Sequence, residues 1–354
     1  MAAASSPSDP TEPLELDGIL VLGAGLAGLS AALAAGPRPV LVISAGPVGE
    51  ACSSAWAQGG VAVAMGADDT PVLHAQDTVA AGAGLVLADR AALLTAEGPG
   101  AVARLIDLGA PFDTEPDGRL AQSLEAAHSR ARVARVKGDQ AGRAIMQAVI
   151  AAVERSPGIT IWSEARARRL LQDQAGRVRG ALIERGGRLI SVRARAVVLA
   201  TGGFPHDPER KRALLSHDPQ GDAHFSAASR GNTGDGLRLG ETAGGVVADD
   251  LRQAAALAPV SLVPQPDGSF THFPHLIERA KPGLIAVTRF GQRFTNEADA
   301  YHDFMQSLIQ SLPAGEPVQA WLLCDHRFIR RWGLGAAKPA PMPLGQLLAN
   351  GYLQ

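Results

Sequence analysis

Short apolar runs bounded by glycine open the patterned part of the chain. Ile19-Leu20-Val21-Leu22 lies between Gly18 and Gly23, and a continuous run of this length predicts a strand buried on both faces. Leu26 to Ala35 reads as a helix stopped by Gly36-Pro37, and Val40-Leu41-Val42-Ile43 repeats the strand pattern. Strand, helix and strand within about 25 residues predict a βαβ unit. Residues 85–110 predict an amphipathic helix with Leu93, Leu94, Val102, Leu105 and Leu108 as its apolar stripe. A third helix, 139–154, carries Ala144, Ile145, Ala148, Val149 and Ala152 at helical spacing. Strands return at 159–162, around Ala181-Leu182-Ile183 and over 196–200. The charged interruption Ile183-Glu184-Arg185 predicts an antiparallel meander with one solvated face. After Gly203 the texture changes: Pro, Gly and His become frequent and both periods fade.

Composition narrows the function. A net charge of −2 and 4% aromatic residues argue against a nucleic-acid partner and against an anionic membrane surface. No apolar run reaches the roughly 18 residues of a membrane span. The first 16 residues are rich in Pro, Ser, Ala and Glu and lack a signal peptide's basic start, so a disordered tail is expected there. Cys52 and Cys324 match no metal spacing, no metal site is expected, and two isolated cysteines fit a reducing cytoplasmic setting.

The chemistry concentrates at the first turn. Gly23-Ala24-Gly25-Leu26-Ala27-Gly28 is a G-x-G-x-x-G that follows a predicted strand and opens a predicted helix. Gly23 makes the tight turn, Gly25 lets backbone approach a pyrophosphate, and Gly28 lets helix pack on strand. The helix N-terminus supplies amide donors and a partial positive charge. The second strand ends Ile43-Ser44-Ala45, so Ser44 stands where a ribose-binding carboxylate is usual. Downstream, Ser53, Ser54, Ala57, Gln58, Gly59 and Gly60 form a small-residue loop able to lie against a ligand, with Ser54 and Gln58 as hydrogen-bonding groups for a flavin ring. Thr201 and Gly202 end a strand in a glycine turn, and Asp235 lies between glycines, placed either to cap a helix or to bind a ribityl hydroxyl.

Together these segments resemble the FAD-binding domain of the succinate dehydrogenase, fumarate reductase and L-aspartate oxidase superfamily. Residues 18–203 are most similar to L-aspartate oxidases. The resemblance is carried by Ala57-Gln58-Gly59-Gly60, by 77–84 (DTVAAGAG), by 108–113 (LGAPFD) and by Glu125-Ala126-Ala127-His128-Ser129-Arg130. It implies non-covalent FAD, since no histidine lies between Ala45 and Gly60 to attach it. It also implies a substrate-orienting role for Glu125. From Phe204 onward the chain resembles fumarate-reductase-like and 3-ketosteroid dehydrogenase-like flavoproteins, through 282–287 (PGLIAV), 291–297 (GQRFTNE) and 301–304 (YHDF). The dicarboxylate enzymes carry a proton-shuttling arginine just after that second element. Here Tyr301 and His302 stand in its place, and Tyr301 becomes the acid/base candidate.

The expectation is therefore an α/β protein: a Rossmann-type FAD-binding domain with an antiparallel meander insertion over 17–236, after the tail 1–16, and a partial α+β cap or substrate domain over 237–354. That cap lacks a segment returning to close the flavin site, which suggests a fragment or a join of two genes at 199–203. A dicarboxylate needs cationic clamps, for which Arg130, Arg289 and Arg293 are candidates, with His272, His275 and His302 as helpers. Three functions follow: oxidation of an amino-dicarboxylate feeding NAD synthesis, dehydrogenation or reduction of an enoate or ketosteroid, or a flavin-domain remnant without activity. Oligomeric state is left open, and Asp325-His326-Arg327 receives no role.

Overall fold

The computed structural model describes residues 11–138, 140–215, 224–248 and 255–354. The expected βαβ unit is strand β1 (Thr11–Leu22), helix α1 (Leu26–Ala34) and strand β2 (Val40–Ile43). β1 and β2 are parallel, from Ile19↔Val40 to Leu22↔Ile43, and every residue of β2 is buried. In chain order there follow β3 (Val61–Ala62), α2 (Pro71–Ala81), α3 (Ala88–Asp107), β4 (Gln122–Ser123), β5 (Val133–Ala134) and α4 (Ala141–Glu154). Then come β6 (Ile159–Trp162), β7 (Ala165–Gln172), β8 (Val178–Arg185), β9 (Arg188–Leu199), α5 (Pro208–Leu214) and α6 (Asp235–Thr242).

Six strands form one sheet in the order β6-β2-β1-β9-β8-β7. β9 makes it mixed: it runs parallel to β1 and antiparallel to β8. The expected meander β7-β8-β9 is thus continuous with the nucleotide-binding sheet. Side-chain alternation sorts the core. Val21 and Val42 face a cluster with Leu29, Ile145, Met146 and Val149. Leu20, Leu22, Leu41 and Ile43 face a second cluster with Ala181, Ile183, Val192 and Leu239.

Two expectations are corrected. β1 begins at Thr11, not at Gly18, so residues 11–16 are strand and not disordered tail; residues 1–10 lie outside the described residues. Thr11, Leu14, Glu15 and Leu16 pair with β9, with a register shift before Ile19. Main-chain pairing to a neighbouring strand holds this extension, and side-chain composition does not report it. The second correction concerns α3, which is shorter than 85–110. Leu93 and Leu94 are exposed, and the buried positions are Ala91, Thr95 and Val102.

Contacts divide the chain into two units, Met1–Lys211 with Ala228–Leu251, and Arg212–Ala227 with Arg252–Gln354. A cut at 236 would pass through α6, which lies against β7 and buries Leu239 in the second core cluster. The second unit holds two antiparallel pairs: β10 (Val260–Pro264) with β11 (Phe270–Pro274), and β12 (Leu284–Val287) with β13 (Trp321–Cys324). Between and after these strands lie α7 (Tyr301–Ser311), α8 (His326–Trp332) and α9 (Gly345–Ala349). Leu284, Phe328 and Leu334 form its own small core. Asp325, unassigned from sequence, caps α8 by accepting the Phe328 amide at 2.8 Å.

Candidate functional site

The three glycines of the first turn are required for different reasons. Gly23 has φ +117°, and a Cβ there would lie 2.1 Å from the Ala200 carbonyl oxygen. A Cβ on Gly28 would lie 1.9 Å from the Gly23 oxygen. These two serve the packing of turn on strand and of helix on turn. Gly25 is different: its Cβ would meet only Ser54 Oγ at 3.5 Å and Cys52 Cβ at 3.7 Å. The backbone in front of Gly25 is open, as close approach of a diphosphate demands.

Gly25 is also the N-cap of α1, with extended backbone and no side-chain cap, and no acidic residue occupies the first turn. The Leu26 amide donates to Ser54 Oγ at 3.2 Å. Among the described residues the Ala24 and Gly25 amides have no partner, while Ala27 is exposed at the same end. The helix opening therefore keeps donors for an anion.

Ser54 belongs to a single 3-10 turn, Ser53–Trp56, fixed from three sides. Ser53 Oγ accepts the Ser229 amide at 3.0 Å and Asn232 Nδ2 at 2.7 Å. The Gly142 amide, at the start of α4, donates to the Ala57 oxygen at 3.0 Å, and a Cβ on Gly142 would lie 2.3 Å from the Ser54 oxygen. Gln58 and Gly59 remain exposed, and nothing lies within 4 Å of a Cβ built on Gly59. Gly60 has φ +122° and lies against the Ala134 carbonyl. Ser44 is buried and donates to the Gly46 oxygen at 2.8 Å, so it orders the loop after β2.

At the end of β9, a Cβ on Gly236 would lie 2.0 Å from Thr201 Oγ1, and one on Gly202 would lie 2.8 Å from Asn232 Oδ1. The start of α6 is thereby held close to this strand end. Asp235 is not the N-cap of α6; Gly234 is, in left-handed conformation. Asp235 Oδ1 accepts Arg238 Nη2 at 2.7 Å and Thr233 Oγ1 at 3.0 Å, and Oδ2 accepts Arg166 Nη1 at 3.1 Å. Burial works to raise its pKa, but the bonds from Arg238 and Thr233 outweigh it and hold it below the usual carboxylate range.

A polar cluster that sequence reasoning missed supports the Glu125–Arg130 segment. Arg132 is fully buried and grips Asp69 through both Nε (2.9 Å) and Nη2 (2.8 Å) and Asp77 through Nη1 (2.7 Å). Asp77 Oδ2 also accepts the Ser129 amide at 2.7 Å and Ser129 Oγ at 2.8 Å. The only sequence trace is a charged residue next to the buried pair Val133–Ala134. Glu125 pairs with Arg135. His128 Nδ1 and the Nε of Arg135 itself are buried and have no hydrogen-bond partner among the described residues. His74 lies edge-on to His128 at 6.1 Å. Burial and then the Arg132 charge push both imidazoles below their ordinary pKa. Arg130, a clamp candidate, donates to the Asp68 carbonyl at 3.2 Å and lies 3.5 Å from its carboxylate.

In the second unit, Tyr301 opens α7 and is 43% exposed. His302 Nδ1 accepts the Leu257 amide at 3.2 Å. Arg293 is engaged with Glu297 at 2.6 Å and 3.1 Å. Glu297 is buried and also accepts the Ala286 amide, so this pair ties the turn to β12. Arg289 pairs with Glu316 at 2.6 Å. The turn before Tyr301 is held by buried Arg279, which donates to the carbonyls of Glu297 (2.8 Å) and Asp299 (3.3 Å) and lies over the Phe304 ring.

A βαβ unit whose helix opens on free amides, with a glycine-rich loop pinned beside it, defines a dinucleotide-binding protein of the flavoprotein class. The chain belongs to the FAD binding domain family, whose model matches residues 18–339, and FAD is its cofactor. A segment of 193 residues is 58% identical to an L-aspartate oxidase of Caulobacter vibrioides, covering 54% of this chain and 38% of that protein. A segment of 197 residues is 36% identical to a 4-oxocyclohex-2-ene-1-carboxylate 5-dehydrogenase of Sinomonas cyclohexanicum, covering 55% of this chain and 33% of that protein. The fold is similar to that of a 3-ketosteroid delta1-dehydrogenase from Sterolibacterium denitrificans, with a TM-score of 0.72 and 22% identity over 94% of this chain and 73% of that one. The chain spans less than half the length of the curated relatives it matches. Among the described residues no helix is long and apolar enough to cross a membrane. Cys52 and Cys324 are free thiols.

Proposed function

We propose that this chain is the flavin-bearing part of an L-aspartate oxidase-like enzyme, which takes hydride from the amine-bearing carbon of a small amino-dicarboxylate and so forms an imino acid for NAD synthesis. The observation that carries this reading is the pair of buried, unpartnered atoms His128 Nδ1 and Arg135 Nε beside Glu125. Unsatisfied buried polar atoms are costly, and a polar ligand relieves them. Carboxylates of the substrate meet Arg135 and Arg130, and Glu125 orients the amine. FAD, when bound, supplies the hydride acceptor. Gly25 and the amides of Ala24 and Ala27 hold its diphosphate, while Ser54, Gln58 and Gly59 line the flavin side.

A second reading rests on Tyr301. Its phenol opens α7 without a hydrogen-bond partner among the described residues, and a tyrosine acid/base suits dehydrogenation of an enoate or cyclic ketone. Anaerobic titration of the FAD-loaded chain separates the two. Bleaching of the flavin band by L-aspartate supports the oxidase; bleaching by a 3-ketosteroid and not by aspartate replaces it with the dehydrogenase. A yellow protein that neither substrate bleaches leaves the remnant reading.

A further inference from the structure

A second array of catalytic type lies in the Arg212–Ala227, Arg252–Gln354 unit. The antiparallel pairing of β10 and β11 places Val260 opposite Pro274 and Ser261 opposite Phe273, which brings Ser261 beside the residue that follows β11, His275. Ser261 Oγ lies 2.9 Å from His275 Nε2, and His275 Nδ1 lies 2.7 Å from Glu278 Oε1. His275 is 4% exposed. Its backbone is held on both sides: the His275 amide donates to the Pro259 oxygen at 2.8 Å, and Arg279 Nε donates to the His275 oxygen at 2.7 Å. Burial works to raise the Glu278 pKa, but the bond from His275 and the backbone donors outweigh it and keep the carboxylate ionised. A hydroxyl, a base in reach of it and a carboxylate orienting that base are the parts of an activated serine.

The fourth group is Tyr352. Its hydroxyl lies 2.6 Å from Ser261 Oγ and accepts the Ala336 amide at 3.1 Å. Gly335, at φ +60°, makes room: a Cβ there would lie 2.0 Å from the Tyr352 oxygen and 3.1 Å from His275 Cε1. One point in space is thus within hydrogen-bond reach of both the serine oxygen and a backbone amide donor, and the phenol oxygen occupies it. That is where the carbonyl oxygen of an acyl substrate belongs.

We propose that Ser261, His275 and Glu278 form an acyl-transfer site for small carboxylic esters, held closed by the hydroxyl of Tyr352. When the Tyr352 ring leaves, the ester carbonyl oxygen takes its place against the Ala336 amide. Ser261 Oγ forms a bond to the acyl carbon and its proton passes to His275 Nε2. The carbon–oxygen bond to the leaving alcohol breaks, and that oxygen receives the proton. Water then attacks the acyl-serine, again losing a proton to His275, and Ser261 departs reprotonated with release of the carboxylic acid. The sum is ester plus water to acid plus alcohol, with no oxidant or reductant.

The test uses the FAD-loaded full chain, p-nitrophenyl acetate as substrate and a fluorophosphonate as covalent probe, with intact-mass and peptide analysis. Tyr352→Ala and Tyr352→Phe are expected to label at Ser261 and to release p-nitrophenol about tenfold faster than the parent, since the open state no longer competes with the tyrosine plug. Ser261→Ala in the Tyr352→Ala background abolishes both signals, and His275→Gln slows turnover by about a hundredfold or more. Flavin content and circular dichroism confirm folding of each variant. Absence of label in folded Tyr352→Phe and Tyr352→Ala chains, or turnover that survives Ser261→Ala, overturns the proposal and leaves the cluster a structural tie for the segment around Tyr352.

Discussion

Ser54 Oγ accepts the amide of Leu26 at 3.2 Å, so the small-residue loop caps the same helix whose opening is proposed to take the diphosphate. Loop and helix are a single device. Ser54→Ala is expected to lower stability by about 1 kcal/mol, the usual loss of a serine cap, and to weaken FAD binding as well. Thermal melts with and without FAD, alongside fluorescence titration, read both effects. A melt and an affinity that both match the parent would show that the loop does not hold the helix end.

Gly25→Val is expected to give a folded, colourless protein. The Cβ meets nothing closer than 3.5 Å, so the fold tolerates it, but the side chain fills the space proposed for the diphosphate. Gly28→Val provides the contrast, because its Cβ would collide with the Gly23 oxygen at 1.9 Å and the chain should misfold. Purification of Gly25→Val with a full flavin spectrum would move the cofactor elsewhere.

The contrast between these glycines also marks what the sequence makes legible. Gly23 to Gly28 and the flanking runs 19–22 and 40–43 announce the βαβ unit, because hydrophobic period and turn chemistry are local. The meander around 181–183 and 196–200 is legible for the same reason. The extension of β1 back to Thr11 is not, since its partner in β9 lies far along the chain. Leu93 and Leu94 fit a helical stripe yet are exposed, because the period fixes spacing and not which face the neighbours cover. Arg132 was invisible for a related reason: its partners Asp69 and Asp77 are some 60 residues away and charged residues read as surface. Asp235 and Arg293 stand out in local motifs, but their ion pairs with Arg238, Arg166 and Glu297 are not read from those motifs.

Arg132→Leu should be among the most damaging single changes in the first unit. It leaves Asp69 without its bidentate partner in a site where both side chains are fully buried, and removing one member of a buried pair costs about 3–5 kcal/mol. The segment carrying Glu125 and His128 loosens with it, because Asp77 then holds only Ser129. Urea denaturation measures the loss. Adding Asp69→Asn to Arg132→Leu is expected to restore part of it, whereas additive losses would argue that the cluster is not coupled.

Tyr301→Phe keeps the ring and removes the phenol. Flavin content should stay at the parent level, because the residue is 43% exposed and its phenol has no hydrogen-bond partner among the described residues whose loss would disturb the fold. If the dehydrogenase reading holds, the rate of flavin reduction by a cyclic ketone falls by about a hundredfold or more, the scale of a lost acid/base group. Stopped-flow absorbance decides it: an unchanged rate removes Tyr301 from the chemistry and returns weight to the Glu125 site.

The paired imidazoles give the first unit a defined pH response. His74 and His128 have pKa values lowered by burial and by Arg132, so the unfolded chain takes up protons near about pH 6.5 while the folded chain resists them. The unfolded state binds more protons in that window, and stability is therefore lost as pH falls from about 6.5 towards the lower folded values. Asp77 and Asp235 act further down. Their pKa values are also depressed, so their contribution is present above the unfolded carboxylate value of about 3.9 and disappears as pH falls through the folded one. Denaturation midpoints across this range should show two successive declines on acidification, and His74→Gln with His128→Gln should erase the upper one while leaving the lower. A single decline confined to the carboxylate range in the parent chain would mean that the two imidazoles are free to charge in the folded state.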